Sequence, residues 1–230
     1  MFYYWDPTYL LVILGAIISG IAALNVKRTF NKYGKLKSLR GLTAQDAAAR
    51  ILREAGIGDV RIERVSGSLT DHYSPGEKVL RLSDSVYDST SVAAIGVAAH
   101  ECGHAIQHQQ GYFPLKLRSA SVPIARIGSM LSWPIIIAGL IFGWLGLARA
   151  GVFLFSFVLL FQLITLPVEF NASRRATMIL EGGGILNAEE LAGVKRVLGA
   201  AAMTYVASLF STILQMARLI LLTRGGGRRR

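Results

Sequence analysis

The stretch His100-Glu101-Cys102-Gly103-His104 determines how the rest of this chain is interpreted. It lies in a run from Ser91 to Gln109 that favours a helix, after four polar residues (88–91) that offer several N-caps. Residues four apart on a helix differ by only ~40° around its axis. His100 and His104 therefore project from one face, and their imidazoles can together bind one Zn²⁺. The motif H-E-x-x-H on a helix predicts a zinc site, and two hydrogen-bonded histidines on a structural helix are the alternative.

Glu101 follows His100 and lies about 100° around the helix from it, beside the two histidines. From there its carboxylate can take a proton from a water that zinc activates, without itself binding the metal. Cys102 lies on the far side of the helix, so we interpret it as a small packed residue rather than a ligand. His108 is one turn beyond His104, but three histidines along one helix cannot converge on a tetrahedral ion, and we expect a supporting or surface residue.

The third ligand has to come from elsewhere in the chain. The longer motif H-E-x-x-H-x-x-G-x-x-H would require Gly and His where this chain has Gln107 and Gln110. After Glu101 the next acid is Glu169, which ends an apolar run, where a carboxylate usually has a partner. A salt bridge to the arginines at 174 and 175 is the alternative, although these spacings align poorly on a helix. The pattern favours Glu169 over three later acids, Glu181, Glu189 and Glu190.

The composition predicts a membrane protein. Of 230 residues 52% are hydrophobic and only 17% are charged, which is too apolar for an ordinary soluble domain. The net charge of +11 could suit nucleic acid, but the apolar runs indicate anionic lipid headgroups as the partner and no nucleic acid. The single cysteine excludes an internal disulfide and fits a reducing compartment.

The first apolar run, Thr8 to Val26, carries no charge, is long enough to span a bilayer and follows an aromatic cluster at residues 2–5. Positive charges come after this run, whereas a cleaved signal peptide has them before it. The run therefore predicts an uncleaved plasma-membrane anchor (1–26) with its C-terminal end in the cytoplasm. Six basic residues, with no acid among them, support this orientation: Lys27, Arg28, Lys32, Lys35, Lys37 and Arg40.

Three more apolar runs predict about 3–4 transmembrane helices in all. Ile127–Ala148 and Ala150–Val168 predict a hairpin (127–168) with an outer turn at Gly146–Gly151, after a basic segment, Pro114–Arg126, along the membrane surface. The hairpin returns Glu169 to the side of the histidines. Val197–Ala217 either spans or lies in the interface, and a full crossing would place the basic tail, 228–230, outside. Residues 169–230 thus hold the third-ligand helix and a C-terminal membrane-associated helix.

Residues 27–126 form the predicted catalytic region, with soluble character from Leu42 to Gln109. Thr43 caps a helix that runs to about Ala55, Val60–Val65 alternates like a strand, Gly67–Glu77 is rich in turn residues, and Val79–Leu82 is a second strand. If that second strand is at an edge, it could pair with an extended peptide; an ordinary hairpin covering the helix is the alternative.

His72 and Tyr73, in the turn-rich segment, are candidate substrate or oxyanion contacts, although a polar surface turn would have the same composition.

Three blocks of sequence resemble a known family. They are Asp71-His72-Tyr73, the run from His100 to His108, and Leu166-Pro167-Val168-Glu169-Phe170-Asn171-Ala172-Ser173. They resemble the YugP-type bacterial membrane zinc metallopeptidases and are more distantly similar to the HtpX and CAAX prenyl protease group. The resemblance implies a zinc ion bound by His100, His104 and Glu169, with Glu101 as general base. Many such enzymes carry an Asp four residues after the ligand Glu, where this chain has Ser173.

Together these features predict a mostly α-helical membrane protein with a small α+β zincin-like peptidase core. The predicted function is that of a multi-pass zinc metalloendopeptidase with its active site on the cytoplasmic side. Its partners are a protein or peptide substrate and anionic headgroups, and regulatory membrane partners are a further expectation. One alternative is a catalytically inactive peptidase-like scaffold or regulator, and another is a basic module that binds the membrane surface.

Overall fold

A computed structural model describes residues 6–225, so the aromatic cluster at 2–5 and the basic tail at 228–230 lie outside the described residues. The chain divides into a core unit (24–116 and 167–203) and a membrane unit (up to 23, 117–166 and from 204). The elements in chain order are α1 Tyr9–Tyr33, α2 Ala44–Glu54, β1 Arg61–Val65, β2 His72–Ser74, β3 Val79–Ser83, α3 Val92–Gln109, α4 Phe113–Ile141, α5 Leu145–Gly182 and α6 Ala188–Gly225.

The N-cap predicted at Thr43 is confirmed, and Ser91 is the one of the four candidates at 88–91 that caps α3. Thr43 caps α2, because its hydroxyl accepts from the main-chain N–H of Asp46, and Ser91 caps α3 by accepting from the N–H of Ala94 at 3.2 Å. Nearly all of α3 is buried, including Ala98, Ala99 and Cys102. It is therefore the central helix of the core, surrounded by α2, the sheet and the parts of α5 and α6 that belong to this unit.

The sheet has the strand order β1-β3-β2. β3 pairs in parallel with β1, with Arg61 opposite Val79, and antiparallel with β2, with Tyr73 opposite Leu80. The prediction that Val79–Leu82 could be an edge strand is therefore wrong, because both of its edges are occupied. Val79, Leu80 and Leu82 are fully buried, and such a nearly continuous apolar run is typical of a central strand. The edge nearest α3 belongs to β2, which lies in the segment that we expected to be turns.

A glycine allows α3 and α5 to approach closely. A Cβ on Gly103 would lie 2.7 Å from the main-chain oxygen of Ala172, which is closer than real contacts allow. Gly96, two turns earlier, packs in the same way against Val194 of α6. The backbone of α5 consequently passes directly beside the H-E-x-x-H turn of α3.

The N-terminus of α6 has a reciprocal cap. The side chain of Asn187 accepts from the N–H of Glu190, and the Glu190 carboxylate accepts from the N–H of Asn187, each at 2.8 Å. The same buried carboxylate accepts from the N–H of Leu39 at 2.7 Å. The loop after α1 is thereby fixed to the start of α6.

Within residues 6–225, four helices are long and apolar enough to cross a membrane: Tyr9–Tyr33, Phe113–Ile141, Leu145–Gly182 and Ala188–Arg224. The predicted fold class, a mostly α membrane protein with a small α+β core, is confirmed. In the membrane unit large apolar side chains such as Ile17, Phe153 and Leu163 are exposed, as lipid-facing residues are. Its internal contacts include the Ser211 hydroxyl, which lies 2.8 Å from both the carbonyl of Gly15 and the hydroxyl of Ser19.

Two local predictions about the hairpin are wrong. Its turn lies at residues 142–144 rather than at Gly146–Gly151, and Gly143 adopts the positive φ of +66° that this turn needs. The segment Pro114–Arg126 is the first part of the continuous helix α4 and not a separate surface segment. The reason is that a proline is tolerated in the first turn, and Pro123 can be accommodated inside a long apolar helix. The third-ligand helix is likewise the second half of α5.

Candidate metal centre

The structure brings together His100 and His104 of α3 and Glu169 of α5, with one potential ligand atom from each lying within 4.8 Å of the others. The Nε2 atoms of His100 and His104 lie 3.3 and 3.6 Å from the same carboxylate oxygen, Oε2 of Glu169. Zinc–ligand bonds of ~2.0–2.1 Å in a tetrahedral arrangement would place two ligand atoms about 3.4 Å apart. The spacing of these donors therefore fits one zinc ion.

The other nitrogen of each imidazole is already hydrogen-bonded. Nδ1 of His100 lies 3.1 Å from the hydroxyl of Ser173, and Nδ1 of His104 lies 3.0 Å from Oε1 of Gln107. Zinc histidines are normally held in this way, with one nitrogen on the metal and the other on a supporting group. The chemistry of the donor set, two oriented imidazoles and one carboxylate, thus suits zinc. Ser173 thus supports His100.

The site is buried, and burial affects how His104 binds a proton. Burial by itself lowers the pKa of His104, but the neighbouring carboxylates of Glu169 and Glu101 favour the imidazolium, and the net pKa is raised. Glu169 is only 2% exposed. A metal ion at this site would therefore displace a proton that the same carboxylates stabilise.

Glu101 is buried on α3 directly beside the two ligands, as the motif predicts. Asp71, which precedes β2, lies within electrostatic range of it. Burial raises the pKa of Asp71, and the negative charge of Glu101 adds to this, while hydrogen bonds from the N–H and hydroxyl of Ser83 oppose it. Asp71 thus provides a second carboxylate that interacts electrostatically with Glu101.

The structure does not bring His72 and Tyr73 into this group of ligands. His72 is exposed, and its Nδ1 lies 2.9 Å from the carbonyl of Thr70. The hydroxyl of Tyr73 lies 2.9 Å from Nδ1 of His108, so this hydrogen bond joins β2 to α3. Cys102 packs with its thiol 3.7 Å from the carbonyl of Ala48, and burial raises its pKa, so it is not available as a thiolate ligand.

Gln107 contributes to the site in a way that the zinc motif does not reveal. It is fully buried and bonds both His104 and α5. Its position in the sequence is the feature that could have indicated this role, because Gln107 stands where the longer zinc motif has glycine. An amide buried at that position needs hydrogen-bond partners.

Comparisons with known proteins agree with this geometry. The sequence profile of a family described as "Putative neutral zinc metallopeptidase" matches residues 8–224. The chain is 43% identical over 205 residues to the "Putative membrane protease YugP" of Bacillus subtilis (strain 168). The aligned region covers 89% of this chain and 91% of that protein. No solved structure matches the chain. The resemblance noted in the sequence is confirmed.

Proposed function

Because this chain belongs to the neutral zinc metallopeptidase family, we propose that it is a membrane zinc metalloendopeptidase that hydrolyses peptide bonds of proteins. The observation that carries the proposal is the convergence of two imidazole Nε2 atoms on one carboxylate oxygen, with both Nδ1 atoms held by other side chains. Both Nε2 atoms thus face the one carboxylate with which they could share a zinc ion.

His100, His104 and Glu169 would bind the zinc ion. Zinc in such a site supplies a Lewis acid that polarises a carbonyl and lowers the pKa of water to about 7. Three protein ligands are the number found in catalytic zinc sites, whereas structural sites have four. The donor set of this chain therefore favours catalysis over a structural role.

Glu101 is the proposed general base. It lies on the same helix as the two histidines, is buried beside them, and is not needed to bind the metal. Its carboxylate accepts the proton of the attacking water and passes it to the nitrogen of the departing amine. Removal of this group should abolish turnover without releasing zinc.

The edge strand β2 is the proposed binding strand for an extended substrate. One side of β2 pairs with β3, and its residue Tyr73 is bonded to His108 of α3. Pairing through main-chain groups would hold peptides of many sequences. His72 and Tyr73, the proposed substrate or oxyanion contacts, both lie in this strand.

The catalytic region is proposed to face the cytoplasm, and its basic residues to contact anionic headgroups. Lys27, Arg28 and the four basic residues that follow are all exposed. A cysteine at Leu39, which is 84% exposed, tests this orientation. A membrane-impermeant thiol reagent should label L39C only after cells are permeabilised, and strong labelling of intact cells would reverse the topology. The buried Cys102 of the parent chain is the control for background labelling.

The function is tested with purified full-length protein and its Glu101→Gln variant. Zinc content and hydrolysis of a generic unfolded protein are measured in both, with Glu181→Gln as a control at an exposed carboxylate. We expect one zinc per chain in all three, and a rate loss of about 10²–10⁴-fold or more for Glu101→Gln alone. A wild type that binds zinc but cleaves no faster than Glu101→Gln would instead establish the inactive scaffold.

A further inference from the structure

We propose that Gln107 is a positioning residue that fixes the proton of His104 on Nδ1, and that Asn171 and Arg175 of α5 set the orientation of Gln107. The inference rests on the proposed function in one respect, because Nε2, the nitrogen left without a proton, is the one that faces the metal site.

The first step is the contact between Gln107 and His104, which are three residues apart on α3. Oε1 of Gln107 lies 3.0 Å from Nδ1 of His104. An amide oxygen only accepts hydrogen bonds, so Nδ1 must carry the proton. In the neutral ring the lone pair is then on Nε2, 3.6 Å from Oε2 of Glu169. A reversed amide would present its NH₂ to Nδ1 and favour the opposite tautomer.

The second step is that the amide of Gln107 cannot reverse without loss. Its Nε2 lies 2.9 Å from the carbonyl oxygen of Val168 and 2.9 Å from Oδ1 of Asn171. A main-chain carbonyl never donates, so reversal would place two oxygens against each other in a fully buried position. Gln107 is 0% exposed, so water cannot replace the lost bonds.

The third step is the orientation of Asn171, whose amide could by itself point either way. Nε of Arg175 lies 2.7 Å from Oδ1 of Asn171, and a guanidinium only donates. Arg175 is in turn held by Oε1 of Gln110 at 2.6 Å and lies over the ring of Tyr112. The amide of Gln107 is therefore oriented by two groups whose roles cannot be exchanged, the carbonyl of Val168 and, through Asn171, the guanidinium of Arg175.

The two zinc histidines differ in this respect. His100 is held by the hydroxyl of Ser173, which can donate or accept. Ser173 therefore does not determine which nitrogen of His100 carries the proton. His104 is therefore the ligand whose protonated nitrogen is determined by its partner. That partner is a neutral amide rather than a carboxylate.

The first experiment measures zinc affinity of the detergent-solubilised full chain by competition with a chelator. Gln107→Leu should weaken zinc binding about 10–100-fold, the usual cost of losing a supporting hydrogen bond to a metal ligand. Gln109→Leu on the exposed side of α3 is the matched control and should bind as wild type does. Equal affinity in the two leucine variants would overturn the proposal.

Two variants of Asn171 guard against simple misfolding. Asn171→Asp keeps an oxygen that accepts from both Gln107 and Arg175, so it should retain near wild-type zinc affinity. Asn171→Leu removes that oxygen and should weaken binding. Loss of affinity to the same extent in both variants would show that the accepting oxygen of residue 171 does not matter, and the proposed role of Asn171 would be refuted.

A third readout needs no zinc. With ¹⁵N-labelled histidine in the metal-free Glu169→Ala protein, in which no carboxylate of residue 169 faces Nε2, His104 should show one tautomer with the proton on Nδ1 at alkaline pH, where imidazoles are neutral. Adding Gln107→Leu should convert it to a mixture, and a mixture already present with Gln107 intact would contradict the inference. A single tautomer there, together with a wild type that binds no zinc, would refute the proposed function and leave this inference standing.

Discussion

The chain has four histidines, and two regions use them differently. On α3, His100 and His104 have Nδ1 bonded to side chains and Nε2 directed at the carboxylate of Glu169. At β2, His72 is bonded to the carbonyl of Thr70 at the surface, and His108, although it is on α3, is bonded to Tyr73. Residue type is therefore not what distinguishes the metal centre. Its distinguishing features are burial, converging nitrogens and a carboxylate from a second helix.

The largest expected difference is between two alanine substitutions one turn apart on α3. His104→Ala should lower the zinc affinity by more than the ~10–100-fold that loss of a supporting group costs, because a proposed ligand itself is lost. His108→Ala should keep full zinc occupancy. Metal analysis of both purified variants checks this, and stoichiometric zinc in His104→Ala would show that the two regions do not differ as described.

A comparison of two carboxylates on α5 tests whether the second helix completes the site. Glu169→Ala should weaken zinc binding strongly, since it removes the buried oxygen that both imidazoles face. Glu181→Ala, near the exposed end of the same helix, should not change it. Chelator competition gives both affinities, and a larger effect for Glu181→Ala would mean that the carboxylate has been wrongly chosen.

The approach of the two helices can be tested at Gly103. Gly103→Ala would place a methyl group 2.7 Å from the carbonyl oxygen of Ala172, so the helices must separate. Overpacking of this kind costs about 1–3 kcal/mol, and the displacement should also weaken zinc binding. Gly199→Ala on α6, where no atom lies within 4 Å of the added Cβ, is the control. Equal thermal stability of the two variants would argue against a close approach at Gly103.

The smallest effect is expected at the surface histidine. His72→Ala should leave zinc affinity unchanged and stability within about 0.5 kcal/mol, as is usual for exposed positions. Chelator competition and thermal melting measure the two quantities. A clear loss of zinc would bring β2 into the metal centre and remove the contrast between the two regions.

Local signals allowed much of this fold to be predicted. The cap at Thr43, a cap within residues 88–91 and the apolar helices depend on neighbours within one or two turns, and they lie where the sequence predicts them. The pairing of β2 with β3 depends on residues that are close in space without any local periodicity. A three-residue strand in a segment rich in turn residues gives too few alternating positions to be recognised.

The metal centre shows the same limit. Helix geometry places residues four apart on one face, so the motif alone predicts that His100 and His104 project together. The contacts of Gln107 with Val168 and Asn171 join positions more than sixty residues apart, and Ser173 reaches His100 across seventy-three. Which hydrogen-bond partner a buried polar residue has is decided by tertiary packing, and nothing in its immediate sequence specifies it.

The core unit is discontinuous in sequence, and this has a consequence for biosynthesis. A nascent chain that has been made as far as Lys116 already contains His100, Glu101 and His104, but not Glu169 or the α5 and α6 segments that complete the core. Fifty residues of apolar helix are made in between. The three candidate ligands can therefore meet only after the whole hairpin has been synthesised.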